Sequence, residues 1–214
     1  MNMLAQTDII LVVDDSPDAL SLINDALEEE GMDVLVALEG RQALTIAKRI
    51  RPDVILLDAV MPVMDGFETC KQLKMNADLA DIPVIFMTGL SDTDDIVRGL
   101  EVGGVDYLIK PINPAELIAR MKVHLSNARL TKSAQTALDS TGQHLFTASN
   151  EGEVRWATPQ TFALFAKAKI DGRDLNSAFP KQLSTWLAIP RSADDALTLN
   201  NISYPLSIRF VGQH

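Results

Sequence analysis

The chain has 214 residues, 47% of them hydrophobic, which suits one large or two small globular domains. Its net charge of −10 is uneven: residues 1–130 carry 22 acidic and 11 basic side chains, whereas residues 131–214 carry 7 and 8. Neither part has a basic stripe interleaved with aromatic residues, so we expect no direct nucleic-acid binding by this chain. No apolar run approaches the roughly 20 residues that span a bilayer, and the N-terminus lacks the basic region of a signal peptide. We therefore expect a cytoplasmic protein without membrane association.

Short apolar runs in the first half of the chain predict strands, and four of them end in residues that can carry chemistry. Ile9–Val13 leads into Asp14 and Asp15, Val54–Leu57 into Asp58, Val84–Met87 into Thr88, and Val105–Ile109 into Lys110. A further strand is predicted at Val34–Leu38, and helical segments separate all five, which predicts a doubly wound parallel α/β sheet. Because the carboxyl ends of parallel strands share one edge, three carboxylates, a hydroxyl and an ammonium converge there.

This ordered set, with the words around it, resembles the receiver domain of bacterial response regulators. The words are Val-Asp-Asp-Ser-Pro, Met-Pro-Val-Met-Asp-Gly-Phe-Glu, Met-Thr-Gly and Tyr-Leu-Ile-Lys-Pro. The resemblance extends from residue 6 to about residue 125 and shows no departure at the five site positions. It implies a five-stranded, flavodoxin-like receiver domain over residues 1–125.

The resemblance also implies a phosphoacceptor site. Asp58 would take a phosphoryl group from a histidine kinase while Lys110 screens the incoming charge. Three converging carboxylates repel one another, so we expect a hard, oxygen-preferring cation, Mg²⁺. By resemblance, Asp15, Asp58 and the backbone carbonyl of Val60 would ligate it, with Asp14 acting through water. The chain would assist its own phosphorylation and dephosphorylation rather than act as an enzyme.

A conformational switch is the second implication of the resemblance. Thr88 would donate its hydroxyl to the new phosphate oxygens, and Tyr107 would turn inward into the space that Thr88 leaves. The Lys110–Pro111 peptide bond would be cis. We expect phosphorylation to strengthen homodimerisation through the face made by the fourth helix, fifth strand and fifth helix.

A phosphohydrolase of the haloacid-dehalogenase type is the rival from another class, because it also places Asp, Thr and Lys on a parallel sheet. That chemistry requires Asp-x-Asp after the first strand, where the second Asp is the acid/base. Here Asp14 is followed by Asp15 and Ser16, so the acid/base is missing.

Helical composition continues without Gly or Pro from Ala115 to Thr141, longer than the usual globular helix. We interpret residues 126–141 as a connector helix. Ile118, Met121, Leu125 and Ala128 could form a coiled-coil seam, but Lys132 and Gln135 interrupt it, so a dimeric coiled coil stays open.

Residues 142–214 read as a smaller α+β module. His144–Ala148 and Val154–Ala157 predict a hairpin, two capped helices follow, and the alternation of Ile202–Phe210 predicts a half-buried strand. This order resembles a PAS-type module, and Leu145–Leu187 is similar to modules of some LuxR-type regulators. The strand needs neighbours, so the module could be incomplete.

Two outputs remain open from the sequence. The resemblance to the front part of LuxR-type transcriptional regulators implies transcription control through a DNA-binding domain that would follow His214. The alternative is a receiver–PAS adaptor that acts through protein–protein contacts without binding DNA.

Overall fold

The computed structural model describes residues 7–76, 78–89, 93–190, 195–199 and 206–209, and gives only the backbone of residues 93–95, 199 and 206–207. The chain divides into two compact units, residues 1–131 and 132–214. The division falls inside a 27-residue helix, within the segment interpreted as a connector. In the ranges given above, no helix combines the length and apolarity needed to cross a bilayer.

The first unit is built on five parallel strands in the order β2-β1-β3-β4-β5. The strands are β1 Ile9–Val13, β2 Asp33–Ala37, β3 Val54–Asp58, β4 Val84–Thr88 and β5 Asp106–Ile109. The predicted parallel sheet is confirmed, with strand boundaries shifted by one residue in β2, β3, β4 and β5. β3 is the central strand, so its last residue, Asp58, lies in the middle of the sheet's carboxyl edge.

Helices connect successive strands: α1 Pro17–Glu29, α2 Gly40–Ile50, α3 Gly66–Met75, α4 Thr93–Glu101 and α5 Pro114–Ser140. Side chains cap the starts of three of them. The Ser16 hydroxyl accepts from the Ala19 N–H at 3.4 Å, and the Asp65 carboxylate accepts from the Glu68 N–H at 2.7 Å. The Asn113 side-chain oxygen accepts from the Ala115 N–H at 2.9 Å at the start of α5. The predicted fourth helix began at Asp92, which lies outside the described residues.

Alternate strand residues face two separate cores, one on each side of the sheet. Leu11, Leu57 and Phe86 pack with α2 and α3, whereas Val12, Leu56 and related residues pack with α1 and α5. All five residues of β3 and of β4 are buried, which is why these strands are continuous apolar runs.

Two of the four residues that could have formed a coiled-coil seam, Met121 and Leu125, are not free to do so. Met121 is 0% exposed and Leu125 is 3% exposed, because both pack in the α1–α5 core of the first unit. Their helical spacing reflects this intramolecular packing, so they are not available to a second helix.

The second unit holds two hairpins and two helices. They are β6 Phe146–Ala148, β7 Val154–Ala157, α6 Pro159–Ala168, α7 Ala178–Leu187, β8 Ala196–Leu199 and β9 Leu206–Arg209. The predicted antiparallel pairing of β6 with β7 is confirmed, although β6 starts two residues later than expected. Phe165 and Phe179 lie in its core with Val154, Ala157 and Leu183. The half-buried Phe146 ring packs against them, and the centroids of the three phenylalanine rings lie 5.3–6.2 Å apart.

The end of this unit differs from the sequence prediction. β9 pairs with β8, a strand that the sequence did not indicate, and in the described residues the two hairpins form separate two-stranded sheets. Of the predicted strand Ile202–Phe210, residues 202–205 and 210 lie outside the described ones. Thr158 occupies the N-cap position of α6, but its side chain does not cap the helix. Its hydroxyl donates instead to the Gln143 carbonyl at 2.8 Å.

Candidate functional site

The carboxyl edge of the five-stranded sheet gathers the residues that the sequence singled out. Asp14 directly follows β1, Asp58 ends β3, Thr88 ends β4 and Lys110 directly follows β5. Since these four strand ends belong to neighbouring strands, the parallel topology alone brings them together.

Lys110 joins two of the carboxylates. Its Nζ lies 2.7 Å from Oδ2 of Asp14 and 2.7 Å from Oδ2 of Asp58. Asp14 is 0% exposed and Asp58 is 5% exposed, so water can compensate little of their charge. The Lys110–Pro111 peptide bond is cis, as expected.

The net charge of Asp14, Asp58 and Lys110 together is negative when both carboxyl groups are ionised. Burial raises the pKa of Asp58 above its ordinary 3.8, and the hydrogen bonds from Lys110 and from the Val60 N–H offset this only in part. Burial would lower the pKa of Lys110, but its hydrogen bonds to Asp14 and Asp58 outweigh that effect and raise the pKa above 10.5. A further positive charge would therefore stabilise the ionised form of Asp58.

Backbone groups fix the orientation of both buried carboxylates. The Ser16 N–H donates to Oδ1 of Asp14 at 2.9 Å, and the Val60 N–H donates to Oδ1 of Asp58 at 3.2 Å. Gly66 packs directly behind Asp58: a Cβ at Gly66 would lie 2.1 Å from the Asp58 carbonyl oxygen. A side chain at position 66 would therefore push the backbone that carries Asp58.

Asp15 adds an exposed third carboxylate. One oxygen each from Asp14, Asp15 and Asp58 lies within 4.8 Å of the others, and this is the one group of three metal-ligating side chains found among the described residues. Octahedral Mg²⁺ has ligands at about 2.1 Å, which places ligand oxygens about 3 to 4 Å apart. Small side-chain movements would thus let the three carboxylates close on such an ion, so the donor set fits Mg²⁺.

Thr88 and Tyr107 line one small, mostly apolar pocket beside the site. Thr88 is 4% exposed, and its carbonyl accepts from the Lys110 N–H at 2.8 Å. Tyr107 is half-buried and lies with Phe67, Phe86 and Leu100 around the pocket. The space into which the tyrosine ring was expected to turn therefore adjoins Thr88.

The sequence did not single out a charged network at the start of β5. Arg120 on α5 donates to both oxygens of Asp106 at 2.9 Å, and Nε2 of His124 lies 3.0 Å from Asp106 Oδ2. Burial would raise the pKa of Asp106, but the hydrogen bonds from His124, the Tyr107 N–H and Arg120 outweigh it and lower the pKa. The spacing of Arg120 and His124, four residues apart on one helix, was the available signal.

Comparison with known proteins points to one family. Residues 10–122 match the family model described as the response regulator receiver domain. Among curated proteins, the chain is 41% identical over 116 residues to the DNA-binding response regulator MtrA of Mycolicibacterium smegmatis, covering 54% of this chain and 50% of MtrA. It is 38% identical over 116 residues to the DNA-binding dual master transcriptional regulator RpaA of a Synechocystis species, covering 54% of this chain and 48% of RpaA. The chain thus spans about half the length of these relatives.

Solved structures give the same result for the first unit. The chemotaxis protein CheY4 of Vibrio cholerae is 34% identical with a TM-score of 0.53, and covers 54% of this chain and 97% of CheY4. The receiver domain of the Francisella response regulator 1452 is 34% identical with a TM-score of 0.54, and covers 56% of this chain and 98% of that domain. Both likenesses extend over little more than half of this chain.

Proposed function

Because the chain belongs to the response regulator receiver family over residues 10–122, we propose that Asp58 is its phosphoacceptor. Receiver domains of response regulators are phosphorylated by histidine kinases, so a phosphohistidine is the expected donor. Transfer breaks the phosphorus–nitrogen bond of the kinase and forms a bond between phosphorus and a carboxylate oxygen of Asp58. The observation that carries the proposal is the buried Asp58 carboxylate at the central strand end, held 2.7 Å from Lys110.

The neighbouring groups have separate tasks in this proposal. Lys110 and the Val60 N–H each donate to one oxygen of Asp58, which fixes the orientation of the carboxylate that would attack phosphorus. Asp14, Asp15, Asp58 and the carbonyl of Val60 would hold Mg²⁺, which when bound supplies positive charge for the phosphoryl oxygens. The Thr88 hydroxyl would then donate to a phosphate oxygen. The protein acts on itself in one turnover and is not an enzyme in the usual sense.

The test is phosphorylation by acetyl phosphate, or binding of beryllium fluoride as a phosphoryl mimic, with and without Mg²⁺. Wild-type protein should gain an acid-labile mass increment that Asp58→Asn lacks. Asp33→Asn, an exposed carboxylate at the start of β2, is the matched control and should keep the increment. A full increment in Asp58→Asn would refute the assignment.

We propose homodimerisation as the immediate consequence of phosphorylation. Four apolar side chains on α4, β5 and the loop between them are 43–50% exposed: Val97, Leu100, Val105 and Ile109. Tyr107 and the Thr88 pocket lie beneath the same face, so a turn of the tyrosine ring would change its shape. An exposed apolar patch of this kind suits a second copy of the chain.

Sedimentation with and without beryllium fluoride tests the dimer. Val97→Lys should suppress association without affecting phosphoryl uptake. It places a positive charge in the apolar patch of each copy, and these two charges would repel each other in the dimer. Leu22→Lys is the control, since Leu22 is 51% exposed on α1, outside that face. Equal suppression by both variants, or no association in wild type, would contradict the proposed interface.

Transcription control is the output that the relatives support, because MtrA and RpaA carry DNA-binding in their names. It would act through a DNA-binding domain outside residues 1–214, and these residues alone should not shift a promoter fragment specifically. The alternative is a protein–protein adaptor. A sequence-specific mobility shift with this chain would exclude the adaptor and would place DNA binding within residues 1–214.

We propose a PAS-like fold for residues 142–214, on the order hairpin, two helices, hairpin. A PAS-type sheet would join the two hairpins, so nuclear Overhauser effects should connect β6–β7 with β8–β9 in the full chain. Two hairpins without such cross-strand contacts would exclude a PAS-like sheet.

A further inference from the structure

Arg98 on α4 contacts the first turn of α3. Its guanidinium carbon lies 4.2 Å from the centroid of the Phe67 ring, a cation–π contact, and its Nη2 lies 3.5 Å from Oδ2 of Asp65. The two partners stand on either side of Gly66. Arg98 thus holds α4 to a single turn of α3.

That turn also abuts the proposed phosphoacceptor. The Gly66 N–H donates to the Ala59 carbonyl at 3.0 Å, and the Gly66 Cα packs against the Asp58 peptide so closely that no Cβ would fit. Asp65 meanwhile caps the helix through its other oxygen, Oδ1. One face of the turn therefore meets the Asp58 backbone while Arg98 contacts the residues that flank Gly66.

α4 has little room to yield where Arg98 holds it. A Cβ at Gly99 would lie 3.2 Å from the Phe86 ring, so the helix backbone is already in close contact with β4. Phe86 in turn lies 5.2 Å from Phe67, centroid to centroid. The Tyr107 pocket is lined by both rings and by Gly99, so a larger group entering it would press α4 outward.

We propose that Arg98 is a latch that holds α4 against the first turn of α3 in the unphosphorylated protein and opposes the phosphorylated conformation. The proposal rests on the phosphoacceptor role of Asp58. It adds a route between Asp58 and α4 that runs through the backbone of α3, besides the one through Thr88 and Tyr107. Because linkage is reciprocal, a contact that favours the resting arrangement also weakens binding of a phosphoryl mimic.

Hydrogen exchange of the full chain tests the latch without any ligand. In Arg98→Ala, the backbone amides of Thr93–Glu101 should exchange faster than in wild type, because α4 loses its tie to α3. Arg49→Ala is the matched control: it removes the same charge from an exposed site in the last turn of α2, at the opposite edge of the sheet. Unchanged exchange of α4 in Arg98→Ala would overturn the proposal.

Beryllium fluoride titration with Mg²⁺ tests the consequence for the site. Arg98→Ala should lower the half-saturating concentration by about threefold to tenfold, as expected for one exposed cation–π contact and one weak ion pair, and Arg49→Ala should leave it unchanged. If the wild-type protein binds beryllium fluoride, both results are required, and equal or weaker binding by Arg98→Ala overturns the latch. A wild type that binds none refutes the phosphoacceptor role instead, and exchange alone then decides whether the latch exists.

Discussion

Lys110 holds Asp58 through a 2.7 Å contact between Nζ and Oδ2, and the same ammonium lies 2.7 Å from the fully buried Asp14. One cation therefore faces two carboxylates that water hardly reaches, and a net negative charge remains. Removal of that cation would leave two buried charges unpaired, which is costly. The same imbalance is what makes the site receptive to a divalent ion.

Replacing Lys110 with Met should destabilise the protein by about 1 to 3 kcal/mol, because Asp14 and Asp58 then repel each other without a counter-ion. Saturating Mg²⁺ should restore more stability to this variant than it adds to wild type, as measured by urea unfolding. Lys74→Met is the control: Lys74 donates to the carbonyls of Ala80 and Ile82 and touches no site carboxylate. Equal Mg²⁺ responses in both variants would show that Mg²⁺ does not compensate for the lost Lys110 charge, and no response in wild type or either variant would contradict a metal site at Asp14, Asp15 and Asp58.

Asp106 should make stability depend on pH in the acid range. Its hydrogen bonds to His124, the Tyr107 N–H and Arg120 depress its folded pKa below the ordinary 3.8. A depressed carboxylate pKa contributes stability that is present above the ordinary value and disappears as pH falls through the folded pKa. Asp106→Asn should therefore cost about 1 to 2 kcal/mol near neutrality, and the difference from wild type should shrink below about pH 4.

The matched control is Asp33→Asn, which removes one negative charge from an exposed position on β2. The measurement is the free energy of unfolding of each variant at a series of pH values. A constant difference between wild type and Asp106→Asn down to the lowest pH would mean that packing, not charge, accounts for the loss.

The placement of the candidate site residues at one edge was predictable from the sequence because it follows from topology. Asp58, Thr88 and Lys110 are far apart in the chain, but each ends or directly follows a strand of one parallel sheet, so their convergence needs no knowledge of side-chain packing. Arg98 was not predictable in this way. Its contacts with Phe67 and Asp65 depend on how closely α4 approaches α3, which Gly99 and Phe86 determine in three dimensions.

The second unit was less predictable because its elements are short and its pattern is weak. β8, Ala196–Leu199, has only four residues and follows a stretch of polar ones, so no long run indicated a strand. Met121 and Leu125 show the opposite problem. Their spacing fits both a coiled coil and a helix packed on a sheet, and only the observed burial distinguishes the two.

The backbone of Val63, in the loop after β3, is strained, and a substitution should relieve that strain. It has a φ of 68° although it is β-branched, and the Met64 N–H donates to the Pro62 carbonyl at 2.8 Å across it, as in a γ-turn. Its side chain is 89% exposed, so replacement loses little packing. Val63→Asn should stabilise the protein by about 0.5 to 1.5 kcal/mol, because Asn tolerates positive φ better.

Val60→Asn is the matched control for this loop, because Val60 is 57% exposed and is not among the positive-φ residues. It should give no comparable stabilisation in urea unfolding. A loss of stability in Val63→Asn would show that the valine makes contacts whose value exceeds the strain.

Gly66 should couple the start of α3 to the activity of Asp58. A Cβ there would lie 2.1 Å from the Asp58 carbonyl oxygen and 2.9 Å from the Ala59 Cα, and neither backbone atom can move without moving the carboxylate. Gly66→Ala should therefore lower stability by about 2 to 4 kcal/mol and reduce the rate of phosphoryl uptake from acetyl phosphate at least about tenfold.

Gly31→Ala separates the loss of stability from the loss of uptake rate, since Gly31 has a φ of 75° but no described atom within 4 Å of the added Cβ. It should cost about 1 to 2 kcal/mol through backbone strain and leave the uptake rate of the folded protein unchanged. If Gly66→Ala, measured at a temperature where it is fully folded, takes up phosphoryl at the wild-type rate, the Asp58 backbone does not need the close approach of α3.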